Sequence, residues 1–560
     1  MIPSLATRGK LVLSAAALMV LVGAFRGAPP LVAMGGTVLI ALAAAYLAFF
    51  PTAVLLRRKK IELSWWVPPG DQPGGALAPD RPFELHIAYR NHGSRTLRVL
   101  GTKVLANPGL EVAPCVAASV PPGHQIEHTT EVRPATAGYQ VFHGAVLVLG
   151  DLLGLFEVHA YFPNPIAIKV FPRRRAAVAP ALRVAGGSHS DQVGQHRVRR
   201  RGLAGELREL REHAHGDPFK YIAWKATARR GKLMVRDLDN ELVATHVLCV
   251  DVGASMRGGP RGKTALDWAI DAAAAMSQAA LDGGDRVGLV TFDTRPVLEL
   301  KPGAGHHHWL QLVDRLLDAA TVVDEDLTDL TAGELVAAVA NYLAHQEALD
   351  VRLRHVPAMD DPRWGQIQAG PDGVLYDLGA MLRLVQKLIE GLGAQKSLAP
   401  PWWWSRVHLS EGADPQMAPL RLFCRLRGIE LPYRNEHIVG RRSAGLAQAL
   451  ERTVADVRPD HVVVLSDLAG VLDDEARVSK AFARVRRRAS SLTVVVPATP
   501  EFAAVGQTPV GKTVASIMTH DHRRELSAAR SLLARHGARV VIATPSDTPA
   551  RLLARRRRAA

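Results

Sequence analysis

The hydrophobic and polar positions change their rhythm several times along the chain. Leu11 to Phe25 is uncharged over 15 residues, and Leu31 to Leu56 is uncharged over 26. A helix needs about 20 apolar residues to cross a bilayer, so the second run is long enough. The first run, led by Arg8 and Lys10, has the length and basic lead of a signal peptide. No convincing small-x-small cleavage site precedes a mature start, however, and a second apolar run follows at once. The pattern therefore predicts a transmembrane helical hairpin over residues 1–60, turning at Pro29-Pro30. Basic residues flank both outer ends (Arg8 and Lys10; Arg57, Arg58, Lys59 and Lys60), while Arg26 alone lies in the turn. The positive-inside bias then places both ends, and everything after residue 60, in the cytoplasm.

From 61 to 172 short alternating stretches are broken by Gly, Pro and Asn. Phe83, Leu85, Ile87 and Tyr89 share one face of a strand, and Ala145 to Leu149 and Ile166 to Phe171 are similar runs. The spacing suggests an all-β immunoglobulin-like sandwich acting as a packing module. Residues 173–244 begin as a basic linker. After 245 strands and helices alternate: strands at Thr245–Val252, Asp285–Phe292, His461–Asp467, Leu492–Val496 and Arg539–Ala543, helices at Leu266–Leu281 and His308–Leu317. This alternation predicts a Rossmann-like α/β domain over 245–560, with ligands at the carboxyl ends of its parallel strands. Residues of about 350–435 do not follow that plan and are assigned to an insertion, containing an amphipathic helix Val374–Leu392 and the tryptophans Trp402, Trp403 and Trp404. Three successive indoles cannot share one face, so they suggest either local packing or a partner surface.

Composition narrows the function. The 560 residues carry a formal charge of +16, but five short clusters hold 19 of the 69 basic residues, leaving 50 against 53 acidic ones. Patchy basicity of this kind fits membrane flanks and linkers better than a continuous nucleic-acid groove. Three scattered cysteines exclude a disulfide scaffold.

One stretch, Gly216-Asp217-Pro218-Phe219-Lys220-Tyr221-Ile222-Ala223-Trp224-Lys225-Ala226-Thr227-Ala228-Arg229-Arg230-Gly231, reads as a single well-capped helix. Asp217 suits the N-cap, Pro218 the first turn, Arg229 and Arg230 the last, and Gly231 the C-terminal closure. Gly216, Asp217, Ile222, Trp224, Lys225, Ala228 and Arg229 also resemble the signature of a bacterial family, the domain of unknown function 58. Lys220 stands where that family usually has Arg, and Ala223 where it usually has a polar residue. The resemblance extends to the apolar segments, to Gly154-Leu155-Phe156 and to the α/β segments. It implies a von Willebrand A-type domain and a MoxR-type AAA+ ATPase as partner.

In such a domain the strand-end acids build a metal-ion-dependent adhesion site from an Asp-x-Ser-x-Ser loop, a Thr and a second Asp. Asp251, Ser255 and Asp467 match by position, whereas Gly253 stands where the first serine belongs. Ser443 is the first choice for the hydroxyl ligand and Thr331 the second. Hard oxygen ligands imply Mg²⁺, with a position left for a partner's carboxylate.

Two phosphate-loop look-alikes are discounted. Gly506 to Thr513 has the letters, but no strand directly precedes it and Pro509 lacks an N–H; Gly258 to Thr264 is one residue short. His306, His307 and His308 open a helix with no acidic or cysteine partner nearby in sequence. The expected protein is thus a binding or scaffold protein of the bacterial cytoplasmic membrane rather than an enzyme, with soluble domains facing the cytoplasm. The competing readings are a metal- or nucleotide-dependent hydrolase and a nucleic-acid-binding protein.

Overall fold

The computed structural model describes residues 3–57, 61–68, 77–114, 117–177, 193–214, 219–347, 349–355, 362–393, 407–436, 438–502 and 509–554. Gly216, Asp217 and Trp402 to Trp404 lie outside the described residues. The chain divides into two compact units: Met1–Phe171 with Val323–Pro432, and Pro172–Val322 with Tyr433–Ala560.

In the first unit, Thr7–Phe25 and Pro29–Arg57 are helices, and Thr7–Phe25 and Pro29–Pro51 are long and apolar enough to cross a membrane. The β-rich part forms two antiparallel sheets, of five and four strands. Leu85, Ile87, Phe142, Leu147, Leu149 and Val158 fill one core beneath them. Strand alternation supplies those side chains, as in Phe83–Asn91, where every second residue from Phe83 to Tyr89 is buried. The short strand Ser4–Leu5, ahead of the first helix, pairs with Glu157 and Phe156 at one sheet edge.

The segment expected as an insertion of the α/β domain groups instead with this unit, and it starts earlier, at Val323. Leu335, Val339, Met381, Val385, Leu420 and Phe423 form its core. Its helix is Leu378–Gly393 rather than Val374–Leu392, because Leu375–Asp377 is a strand paired with Ile367–Ala369 across a turn whose Gly373 has a φ of 75°. Buried polar contacts join it to the sheets: His143 Nδ1 lies 3.0 Å from the Tyr342 hydroxyl. Burial, and then the Arg427 charge, press His143 down to about 4.

The second unit holds a six-stranded sheet: β1 (Thr245–Asp251), β2 (Arg286–Phe292), β3 (Pro296–Gly303), β4 (His461–Leu465), β5 (Ser491–Pro497) and β6 (Arg539–Ala543). Their spatial order is 3-2-1-4-5-6, parallel except for the edge strand β3. The order reverses between β1 and β4, the point at which open α/β sheets ordinarily bind their ligands. The helices packed on this sheet include α1 (Ala265–Asp282), α2 (Gly305–Asp318), α3 (Arg441–Thr453), α4 (Glu475–Arg488) and α5 (Pro509–Arg535). Val247 and Cys249 pack with Leu446, Leu450, Phe482 and Leu533 from α3, α4 and α5. Leu248 and Val250, one residue out of step, point to the other face, where α1 contacts β1 and β2.

The structure corrects two expectations in the segment before β1. The basic linker contains a strand, Val193–Glu212, paired antiparallel with Met234–Leu242 through several register shifts. That strand is dense in charged residues and shows no apolar run, so hydropathy does not announce it. The signature stretch is not one helix either. Phe219–Tyr221 is a 3-10 turn, Ile222 bridges to Val235 and the Ala223 N–H donates to the Met234 carbonyl, so the helix starts only at Trp224. It ends as expected at Gly231, whose φ of 68° suits a left-handed cap.

Candidate functional site

Three acids stand just where parallel strands end. Asp251 is the last residue of β1, Asp293 follows β2 and Asp467 follows β4, and all three are buried. Strand pairing brings them to one rim, because β1 lies between β2 and β4 with Asp251 beside Phe292 and Val250 beside Leu465. Asp251 is held firmly: its Oδ1 accepts from the Gly253 N–H (2.9 Å) and its Oδ2 from the Ser466 hydroxyl (2.6 Å). Leu468, next to Asp467, has a φ of 61°, a left-handed conformation that costs about 1–2 kcal/mol in a residue with a Cβ. It is held there by its N–H to Ser466 Oγ and by its place in the core.

The centre of the site is a guanidinium. Arg442 Nη2 lies 2.9 Å and 3.1 Å from the two oxygens of Asp251 and 3.6 Å from Asp467 Oδ1, and its Nε lies 3.7 Å from Asp293 Oδ1. Its Nη1 donates to Ser255 Oγ. Burial disfavours the charge of Arg442, but the carboxylates of Asp251, Asp467 and Asp293 outweigh it and its pKa is raised. For Asp251 burial wins over the pull of Arg442, and the carboxyl is pushed up to about 6. A second guanidinium supports the rim. Arg257 donates to the carbonyls of Val252, Ala319 and Ala320 and stacks on the Tyr433 ring at 4.2 Å, while the Tyr433 hydroxyl donates to Asp293 Oδ2 at 2.8 Å. Burial lowers the pKa of Arg257 and raises that of Tyr433.

The residues expected around Mg²⁺ do not fit that ion. The guanidinium fills the place where strand-end oxygens converge. At Gly253, where a serine was wanted, an added Cβ would meet Arg442 Nη2 at 2.7 Å and Asp293 Oδ1 at 2.8 Å, so those side-chain ends would have to shift to admit one. Among the described residues no group of three or more His, Cys, Asp and Glu side chains is arranged to hold a metal ion. Asp251, Ser255 and Asp467 do come together, all in contact with Arg442. Ser443 is buried beside them in sequence, but its hydroxyl donates back to the Gly440 carbonyl. Thr331 caps the helix Ala332–Gln346 in a reciprocal arrangement with Glu334.

Sequence reasoning missed Arg442, Asp293, Ser466, Arg257 and Tyr433. Asp293 carried the same signal as Asp467, an acid within two residues of the end of an apolar strand. Arg442 had a subtler one: Arg441 and Arg442 sit in the first turn of α3, where the helix dipole disfavours cations unless acids compensate. Beside Asp467 opens a cavity of about 360 Å³, with an apolar floor of Leu468, Leu472 and Leu526 and acids Asp473 and Glu525 on its wall.

The other marked residues have local roles. Trp224 is 65% exposed at the start of its short helix, and Lys225 and Arg229 are exposed on it. His308 Nε2 lies 2.7 Å from the Val287 carbonyl, and His306 stacks on Trp309. Lys512 and Thr513 lie in the first turns of α5, Gly506 lies outside the described residues, and among the described residues the element before that helix is the short helix Thr499–Phe502.

Residues 209–344 match the model of a family described as "Protein of unknown function DUF58". That segment carries the helix at Trp224, β1, Asp251, Ser255 and Asp293, but neither Arg442 nor Asp467. No curated protein matches the chain. Solved structures similar to parts of it include a FixG-related protein from Vibrio parahaemolyticus (8% identity, 20% of this chain and 97% of that one, TM-score 0.15). An ASH/PapD-like domain of human CEP192 shares 11% identity over 20% of this chain and 84% of that one, with a TM-score of 0.15. A Salmonella alpha-2-macroglobulin mutant shares 12% identity over 76% of this chain and 22% of that one, with a TM-score of 0.17.

Proposed function

We propose that this is a membrane-anchored binding protein whose strand-edge face, centred on Asp251, Asp293, Asp467 and Arg442, holds a protein partner, and that the partner is a MoxR-type AAA+ ATPase in a chaperone-like or assembly role. The observation that carries the reading is the convergence of three strand-end carboxylates on one buried guanidinium at the reversal of strand order. Such a rim is where α/β sheets bind their ligands. The cavity beside Asp467 gives the face a concave, mixed apolar and acidic surface, suited to a protruding side chain of a partner. Similarity to the family over residues 209–344 and the two apolar helices support the same picture. By the basic flanks of those helices, the binding face lies on the cytoplasmic side of a bacterial inner membrane. Because the Arg442 guanidinium stands between the rim carboxylates and offsets part of their charge, the proposed partner capture needs no bridging Mg²⁺.

The test is co-purification of the full-length protein in detergent with a co-expressed MoxR-type ATPase. Asp473→Lys and Glu525→Lys, on the cavity wall, should lower capture about tenfold or more, as placing like charge against a charge-complementary partner does. Capture unchanged by both substitutions, or absent in the wild type, refutes the reading.

A further inference from the structure

The strands Gly138–Gly150 and Phe156–Val170 are joined by a turn whose tip carries two leucines, Leu152 and Leu153, 90% and 66% exposed. Turn tips ordinarily carry small or polar residues. This tip is rigidly framed. Asp151 Oδ1 accepts from the N–H groups of Leu155 (2.6 Å) and Phe156 (2.9 Å), Oδ2 accepts from Leu153 N–H (3.2 Å), and Arg98 Nη1 donates to the Leu152 carbonyl (2.7 Å). Gly154 supplies the left-handed residue, with a φ of 69°. The two leucines are thus presented to the outside by a fixed scaffold.

The same turn is fastened to the start of the first apolar helix. The Ala6 N–H donates to the Leu155 carbonyl at 2.9 Å, and a Cβ added to Gly9 would meet that carbonyl oxygen at 2.1 Å. Leu155 is therefore level with Gly9, two residues before Leu11 opens the uncharged run, or about 3 Å along the helix axis at 1.5 Å per residue. From the second helix the Tyr46 ring stands 5.5 Å from that of Phe156. Arg8, Lys10 and Arg98 are exposed nearby, Arg8 within 4 Å of the Gly154 position. Apolar residues at the tip with cations around them match the boundary between acyl chains and anionic headgroups.

We propose that the Leu152–Leu153 turn is seated in the surface of the bilayer that the two helices cross, with Arg8, Lys10 and Arg98 at the phosphate level, so that the β-rich domain rests on the membrane. The inference rests on the reading of Thr7–Phe25 and Pro29–Pro51 as membrane-spanning.

The experiment uses the full-length protein, with Cys115→Ser and a nitroxide on Leu153→Cys, in nanodiscs of phosphatidylethanolamine and phosphatidylglycerol. Cys249 and Cys424 are buried and stay unlabelled. A nitroxide on Arg81→Cys, at an exposed loop of the same domain, is the reference. At Leu153 the ratio of relaxation by lipid-soluble oxygen to that by a water-soluble nickel chelate should exceed the reference about fivefold, as for an interfacial apolar residue. A ratio equal to the reference at Leu153 and at a parallel Leu152→Cys site overturns the inference. A carbonate wash separates the two failures: protein that stays with the membrane while both sites remain aqueous refutes the seated turn alone, and protein released by carbonate refutes the spanning reading as well.

Discussion

Replacing Arg442 by Gln removes the guanidinium that touches both Asp251 and Asp467 and leaves the two buried carboxyls without that counter-charge. Breaking a buried pair by removing one partner costs about 3–5 kcal/mol. Protonation limits the loss. Asp251 already sits at about 6 with Arg442 present, so without the guanidinium its pKa rises further and the carboxyl takes up its proton at a higher pH. A native-state pKa raised above that of the unfolded chain gives a penalty that is full above the folded value and vanishes as pH falls below the unfolded one. Arg442→Gln should therefore cost most at pH 8 and less at pH 5.5, the difference changing by at most about 1.4 kcal/mol per pH unit for one proton. Gly253→Ser should cost about 1–3 kcal/mol in the wild type, because its Cβ meets Arg442 Nη2 at 2.7 Å. Combined with Arg442→Ser, the same substitution should cost less, since the colliding nitrogen is gone and Asp293 Oδ1, at 2.8 Å, has space to move into. Hydrogen exchange of peptides spanning Thr245–Asp251 and His461–Leu465 in the full-length protein reads these local stabilities directly. If the Gly253 and Arg442 substitutions add to within about 0.5 kcal/mol, as independent sites do, the packing of the guanidinium against Gly253 is refuted. Asp251-dependent stabilisation of the wild type by Mg²⁺ would equally refute the role given to Arg442.

Gly445→Ala should destabilise α3 although Ala is the better helix former by about 1 kcal/mol, because a Cβ there would meet the backbone oxygen of Asp293 at 1.9 Å, which cannot move aside like a side chain; Gly365→Ala, with nothing within 4 Å, is the neutral control, and a higher melting point for Gly445→Ala would contradict the geometry. Lowering the pH from 6.5 to 4 should weaken the region of His143, whose neutral form is favoured down to about 4, while strengthening that of Asp271, pushed up to about 6 by burial despite Arg175 and Arg173. Exchange protection corrected for intrinsic rates should move in opposite directions around the two residues, and parallel changes would overturn the assignment. A cysteine at the exposed His306 should resist a membrane-impermeant thiol reagent in intact cells and react after lysis, and labelling in intact cells would reverse the proposed topology.

The residue pattern alone determined the elements whose signal is local. Two uncharged runs marked the apolar helices, alternation marked Phe83–Asn91, and apolar runs bounded by turns marked β1, β2, β4, β5 and β6 nearly to the residue. Asp251 and Asp467 were legible as strand-end acids. The edge strand β3, bracketed by Pro296 and Pro302, and the ribbon strand Val193–Glu212, dense in charged residues, went unseen because neither shows the uninterrupted apolar run of a buried parallel strand. What fills the space between the acids was a tertiary decision. Arg442 lies 191 residues from Asp251 in sequence, and the two meet only because the chain between them leaves the α/β sheet and returns at α3. Gly253 in isolation was a missing ligand, whereas beside the guanidinium it is the residue without a side chain to collide. Charge neutralisation and steric exclusion act over a few ångströms of space, whatever the separation along the chain, so the choice between a bound ion and a built-in cation was set by the fold.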